Sequence, residues 1–334
     1  MRKGLSKLFH SVGLNGFLLG IFAAIGLAAL FPSIGTEGAG IPWKPMIQVG
    51  ISLVFFFYGL KLNPSQLREG LSNWKLHLLI QAATFLLFPF LVWAVNGLTL
   101  GVDDKFLLGI SYLASLPSTV SAAVVLVSIS RGNVAAAIFN ASISSILGVL
   151  ITPAWMRVFS SSLPGETIDF WPMFGEIAFK VLLPVILGLF LHKRLYPLIQ
   201  PYLSKLRFLD QTVILMIVFS TFAESFSQNL FKGFTLQTLG ILSGFLLVFL
   251  LVVVGILYVT ATWGNFSSAD RITAIFCGST KSLVHGVAMG KVLFASSMTL
   301  GLVLLPVMLY HLQQLVLGSL LARFFEEKAS KIEK

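Results

Sequence analysis

Long apolar runs separated by short polar joints recur along the whole chain. A helix that crosses a bilayer needs about 20 mostly apolar residues. Ten runs approach or exceed that length, near 14–33, 45–61, 76–97, 106–130, 133–157, 172–192, 208–227, 238–262, 271–294 and 297–322. The expected fold class is all-α, a polytopic membrane protein of ten transmembrane helices. The longest joint, 160–172, contains Leu163-Pro164-Gly165 and lies at the chain's centre. It divides the spans into two groups of five, 14–157 and 172–322. No joint has room for a soluble domain, so 1–334 is expected to be a single integral membrane domain. The first apolar run has no small-residue cleavage site behind it and reads as a retained span, not a signal peptide.

Charge in the joints sets the orientation, because basic residues concentrate on the cytoplasmic side. One side collects Arg2, Lys3, Lys7, Lys61, Arg68, Lys75, Arg131, Lys193, Arg194, Lys205, Arg207, Arg271, Arg323, Lys328, Lys331 and Lys334, which is 16 of the 23 basic residues. The other side has Lys44, Lys105, Arg157, Lys232 and Lys291 beside Glu37, Asp103, Asp104, Glu166 and Asp169. Both termini are therefore expected in the cytoplasm, and the expected location is a bacterial inner (plasma) membrane. Five spans per half is an odd number, so the second half enters the membrane in the opposite sense to the first. That arrangement is an inverted-topology repeat.

Two polar interruptions sit at equivalent places in the two halves. Leu116-Pro117-Ser118-Thr119-Val120-Ser121 falls in span 4, and Cys277-Gly278-Ser279-Thr280-Lys281-Ser282 falls 161 positions later in span 9. A helix breaker followed by hydroxyls is costly against lipid, where freed backbone groups find no partner. It fits a cavity at the bilayer midplane, and paired interruptions of this kind point to a transporter's binding site. Pro117 should kink or unwind span 4. Ser118, Thr119 and Ser121 are suited to capping a restarted half-helix. In span 9 Gly278 is the expected flexible point, with Ser279, Thr280 and Ser282 as caps. Helices 4 and 9 are thus expected to be broken and to face each other.

Lys281 lies about ten residues from either end of its span, too deep for its stem to reach the interface, and should face a cavity or a partner. His285, one turn later, either extends the polar path or packs as a hydrogen-bonded histidine. Asn140 and Ser144 share a face of span 5, with Ser145 adjacent. They serve either as interhelical hydrogen bonds or as oxygen ligands of a cation. Gln81 and Thr84 of span 3 are three apart and candidates for the same site, together with Ser118, Ser121 and Ser279. Lys180 reads as a lysine reaching toward an interface, and Glu224 as interfacial.

Composition narrows the classes further. The chain is 56% hydrophobic and 11% charged, against roughly 25% charged in an average soluble domain. The net charge of +10 belongs to the joints, so membrane topology explains it and nucleic-acid binding is not expected. Cys277 stands alone, which excludes a disulfide framework and a cysteine-based metal cluster; no transition-metal site is expected. There is no H-E-x-x-H, G-x-S-x-G or P-loop pattern, and no enzyme activity is expected.

The residues 116–123, Arg131-Gly132-Asn133, Phe139-Asn140-Ala141 and Gly278-Ser279-Thr280-Lys281-Ser282 resemble the bile acid:sodium symporter superfamily, and within it the SBF-like branch. The resemblance spans essentially the whole chain. It implies a panel of helices 1, 2, 6 and 7 and a core of helices 3, 4, 5, 8, 9 and 10. It also implies unwound, crossing helices 4 and 9, with a small organic anion bound between core and panel. Family symporters carry an acidic residue on helix 9 that helps ligate two sodium ions. Here that region offers Ser279, Thr280 and Lys281, and the expected Ser-Asn pair of helix 4 is Ser121-Ala122.

An ammonium at the crossover can take the place of a sodium ion. It also sits near a half-helix N-terminus, where an anion or loss of its proton would relieve the charge conflict. The expected function is alternating-access transport of an organic anion, with Na+ or H+ as the coupling ion if there is one and no other cofactor. The alternatives are a passive facilitator or channel, and a non-transporting regulatory membrane protein of the same fold.

Overall fold

The computed structural model describes residues 16–61, 73–95, 106–119, 121–160, 175, 178–230, 235–294 and 300–332. Among these the regular structure is helical, with no strand. The helices are α1 (Gly16–Leu30), α2 (Trp43–Lys61), α3 (Trp74–Ala94), α4 (Leu107–Ser115), α5 (Ser121–Ile129) and α6 (Val134–Ser160). They continue as α7 (Leu183–Ile199), α8 (Leu203–Ser227), α9 (Leu236–Trp263), α10 (Ser268–Ser279), α11 (Leu283–Leu293) and α12 (Leu300–Ile332). Seven described helices are long and apolar enough to cross a membrane, namely α2, α3, α9 and stretches within α6, α8, α12 and around α7. The chain is an integral, multi-pass membrane protein.

These helices carry apolar residues on both the packed and the outward face, as lipid demands. In α9, Leu242, Leu246, Phe249, Val253, Leu257 and Ala261 form a buried stripe at helical spacing. Leu247, Val248, Leu251, Val252, Tyr258 and Val259 stay exposed. In water such a surface would drive aggregation; against acyl chains it costs nothing.

Two sets of helices make the strongest contacts. α2 lies along α7 and α8, and α1 lies along α8. In the second set α9 packs on α10 and α12, α4 on α6 and α12, and α10 on α3, α5 and α6. α8 reaches across to α11 and α12. Small residues permit the closest approach: a Cβ on Gly59 would overlap the Val185 carbonyl, and one on Gly188 would overlap the Phe56 carbonyl. A larger residue at either position forces α2 and α7 apart.

At the end of the α2–α8 pair Lys61 Nζ meets Asp210 Oδ2 at 3.4 Å, with both side chains half-buried. Pairs this exposed contribute little. Asp210→Asn is expected to cost about 0.2–1 kcal/mol in thermal unfolding. A loss several times larger would show that this pair clamps the two helices.

Candidate functional site

The interruptions expected in the sequence are real breaks. α4 stops at Ser115, and Leu116 ahead of Pro117 is extended, with ψ 151°, because proline's ring disfavours helical backbone before it. The chain stays out of helix through Thr119, and α5 begins at Ser121. α10 ends at Ser279, Thr280 is extended with ψ 146°, and α11 starts at Leu283 behind Ser282. Ser282 Oγ accepts the His285 N–H at 3.3 Å as an N-cap. Ser282 N–H donates to the Pro117 carbonyl at 2.9 Å. The Ser118 hydroxyl donates to the Cys277 carbonyl at 2.6 Å and lies 3.1 Å from Thr280 Oγ1. Ser118 N–H donates to Ser144 Oγ at 2.9 Å. The backbone groups released by one break are thus taken up by the other break and by α6, as a dry interior requires.

Lys281 occupies the centre. It is 1% exposed, and its Nζ donates to the carbonyls of Thr84, Ala114 and Leu116, each at 2.7 Å. The ammonium also lies 4.0 Å from the Phe88 ring centroid, within cation–π range. Three acceptors match the three N–H donors of an ammonium and its lack of any acceptor.

Local sequence explains why these carbonyls are available. Ala114 and Leu116 belong to the end of α4, where the last carbonyls have no intrahelical partner and carry the negative end of the dipole. Thr84 lies in a π-helical turn of α3, Ala83–Leu87. Phe88 N–H there bonds to Ala83, and Pro89 has no N–H to give, so the Thr84 and Phe85 carbonyls are released. Lys281 takes the first and Trp155 Nε1 takes the second, at 2.8 Å. The expected conflict between Lys281 and the α11 N-terminus does not arise, because the side chain turns to the carbonyl end of α4 instead.

Gln314 of α12 fixes the same residue's backbone. Lys281 N–H donates to Gln314 Oε1 at 2.7 Å, and Gln314 Nε2 donates back to the Lys281 carbonyl at 2.8 Å. Tyr310 and Tyr112 donate their hydroxyls to the carbonyls of Ser279 and Gly286, each at 2.7 Å.

His285 carries the site to α2. Its ring lies between Phe55 and Tyr58, at centroid distances of 5.5 and 5.4 Å. Ser282 Oγ, already accepting the backbone N–H, is 2.9 Å from Nδ1. With the serine hydrogen directed to Nδ1, the ring proton sits on Nε2. Nε2 is buried without a hydrogen-bond partner among the described residues, and the buried Tyr58 hydroxyl has only a loose interaction with Ser145 of α6.

A model of the SBF-like CPA transporter family matches residues 15–327. The chain belongs to the SBF-like CPA transporter family. Sodium/bile acid cotransporter 7 of Rattus norvegicus is 33% identical over 94% of this chain and 93% of its own length. The same-named protein of Danio rerio is 32% identical over 91% of each chain. The uncharacterized protein PA2026 of Pseudomonas aeruginosa is 36% identical over 94% and 93%. The chain is therefore a membrane transporter of this family and not an enzyme.

Within this SBF-like transporter the residues expected at the site are partly brought together. Pro117, Ser118, Thr119, Ser279, Thr280, Lys281, Ser282 and His285 are buried in or beside the crossover, with Ser144 behind Ser118. Ser121 begins α5, and its side chain lies outside the described residues. Gly278 is no hinge: it lies inside α10, where a Cβ would press on Leu257 at 2.9 Å. Ser279 is not a cap either, since its hydroxyl donates to Ile275 one turn back at 2.6 Å.

Several of the oxygens considered for a cation already hold hydrogen bonds within the chain, whereas Gln81 Oε1 is buried without a partner among the described residues. Thr84 Oγ1 donates to Ile80. Asn140 Oδ1 accepts from Gln81 at 3.2 Å, while its Nδ2 meets the Ala136 carbonyl at 2.9 Å and His77 Nδ1 at 2.8 Å. This is the interhelical hydrogen bonding that was the other reading of Asn140. Tyr58, Phe88, Tyr310 and Gln314 belong to the site and escape a reading of hydroxyl clusters and charges. The Gln313-Gln314 pair within an apolar run is the signal that marks one of them.

Proposed function

We propose that this transporter moves an organic anion by alternating access and that Lys281 supplies, from within the chain, a positive charge that a bound sodium ion would otherwise provide. The observation that carries the reading is the Lys281 ammonium on three carbonyl oxygens and an aromatic face at the crossing of two broken helices. Oxygen ligands of this kind are what an alkali cation seeks at unwound transporter helices. A fixed cation there neutralises the carbonyl end of α4 without a coupling ion.

The ten-span, inverted reading pairs α4 with α5 and α10 with α11 as spans 4 and 9. Under a twofold exchange of halves, span 1 on span 7 becomes span 6 on span 2. The observed packing of α1 on α8 and of α7 on α2 supports that exchange. The same contacts support a panel of α1, α2, α7 and α8 against a core of the remaining helices. Burial of the crossover, with Ser118 and Lys281 shielded from solvent, favours a carrier over an open channel. Basic joints place the termini in the cytoplasm, in our reading at a bacterial inner membrane.

Two of the relatives are named sodium/bile acid cotransporters, which supports an organic-anion substrate. Sodium coupling is the point of departure. Wild-type protein is expected to show the same thermal midpoint in sodium chloride as in choline chloride, and equal proteoliposome uptake in both. A sodium-specific rise in midpoint that disappears in Asn140→Leu would instead place a sodium ion at the Gln81–Asn140 oxygens.

A further inference from the structure

His311 stands one turn before Gln314 on α12, the residue that holds the Lys281 backbone. The orientation of the Gln314 amide is fixed by what it meets. Lys281 N–H can only donate and the Lys281 carbonyl can only accept. Oε1 must therefore face the first and Nε2 the second, as found at 2.7 and 2.8 Å. The other hydrogen of Nε2 points to His311 Nδ1 at 2.8 Å. Nδ1 is thus an acceptor, and the ring carries its proton on Nε2.

A proton on Nδ1 would place N–H against N–H. Gln314 cannot answer by turning its amide over, because both Lys281 groups would then face their own kind. The contact has to break. The Lys281 carbonyl lies within reach of the His311 ring, so a protonated ring can take that acceptor from Gln314 and leave Lys281 N–H without its partner. A second positive charge beside Lys281 also repels the ammonium. Proton and clamp exclude each other, and a state that releases the clamp binds the proton better.

The helices packed most extensively on α12 are α4, α5, α8, α9, α10 and α11. Their ionisable side chains are Tyr112 of α4, Lys205, Arg207, Asp210 and Glu224 of α8, and Tyr258 of α9. α10 adds Asp270, Arg271 and Cys277, α11 adds His285 and Lys291, and α5 adds none. No ionisable side chain bonds to His311 among the described residues. Histidine ordinarily changes charge between about pH 5 and 8, and this ring is only half-buried.

We propose that His311 binds a coupling proton, taken up at Nδ1 when Gln314 releases the Lys281 backbone and given back when the clamp re-forms. The proposal rests on the transporter reading above and adds a movable charge to the fixed one of Lys281. The full chain, in nanodiscs of phosphatidylcholine, is followed by hydrogen exchange across residues 277–286, corrected for the intrinsic effect of pH. Proteoliposomes are assayed in parallel for uptake of labelled cholate and benzoate, with and without an imposed pH gradient.

Lowering the pH from about 8 to about 5 is expected to raise crossover exchange in wild type by about 10-fold. A pH gradient is expected to change uptake by a similar factor. His311→Asn keeps an oxygen that can accept from Gln314 but binds no proton. Its exchange is expected to stay flat with pH, and its uptake to lose the response to the gradient.

Exchange that ignores pH in wild type, or a pH response that survives in His311→Asn, overturns the proton site. If uptake persists in that case, the transporter reading stands. A pH response in exchange with uptake blind to the gradient overturns the coupling. Uptake of neither probe overturns the transporter reading and the coupling with it, while the exchange pattern still decides whether His311 controls the clamp. Should His311→Asn fail to fold, flat exchange and gradient-independent uptake in wild type suffice to overturn the proposal.

Discussion

Lys281→Met is expected to abolish uptake in proteoliposomes and to destabilise the protein by about 3–5 kcal/mol, the range found when one partner of a buried charged contact is removed. Methionine keeps nearly the length and volume of the lysine stem but donates nothing. The carbonyls of Thr84, Ala114 and Leu116, each now bonded to Nζ at 2.7 Å, would be left buried and unpaired, at about 1–3 kcal/mol each. Removal of a costly buried charge offsets part of that sum. The loss also strikes three elements together, α3 at its π turn, the end of α4 and the α10–α11 break, so the crossover would lose its shared anchor.

A companion variant makes the cation argument specific. Lys281→Ala leaves a hole walled by three carbonyl oxygens and the Phe88 ring, and an alkali cation can enter it. Lys281→Ala is therefore expected to gain a sodium- or potassium-dependent rise in thermal midpoint that wild type lacks. Full uptake and an unchanged midpoint in Lys281→Met would sink the proposed role, whatever the alanine variant does.

The breaks are legible in the sequence because they violate its own pattern. Pro117 with three hydroxyl residues, and Lys281 among small and hydroxyl residues, have no place on a lipid-facing helix. Where the second break falls is not legible. Glycine suggests position 278, yet α10 continues to Ser279. The end of the helix is fixed by tertiary bonds: Ser282 N–H to Pro117, and Gln314 to both sides of the Lys281 backbone. The acceptors of Lys281 lie 165 to 197 positions away along the chain, beyond any local signal. Pro89 is the one hint, because its missing N–H releases carbonyls in the preceding turn.

Residue type misleads at two other places. Asn140 has the chemistry of a cation ligand, but its Oδ1 accepts from Gln81 and its Nδ2 is taken up by His77 and Ala136, which leaves Gln81 Oε1 as the amide oxygen without a partner among the described residues. Lys180 and Glu224 read as interfacial one at a time. Only the fold brings them together with Lys44 and Lys291 around one pocket. Charge type is written in the sequence, whereas charge convergence is a property of packing between distant helices.

Tyr58→Phe and His285→Phe are expected to slow transport about 5- to 150-fold while raising thermal stability, the reverse of the stability change at Lys281. The closed α2–α11 seam buries His285 Nε2 without a partner among the described residues and leaves the Tyr58 hydroxyl only a loose interaction with Ser145; a buried group left unsatisfied costs about 1–3 kcal/mol. When the seam opens, water or the anion can pair with both, so the penalty falls on the closed state alone. Phenylalanine retains the ring contacts on either side of the seam and removes the unpaired atom. The closed state then drops by up to the same 1–3 kcal/mol, which is the stated factor in the opening equilibrium.

A cysteine at Ile51, buried on α2 where the pocket meets the seam, placed in a Cys277→Ala background, reports that opening directly. Its maleimide labelling should slow in step with uptake when Tyr58→Phe is added. Unchanged labelling and uptake would mean that the two groups find partners in the closed state, and that the seam is held shut by apolar packing alone.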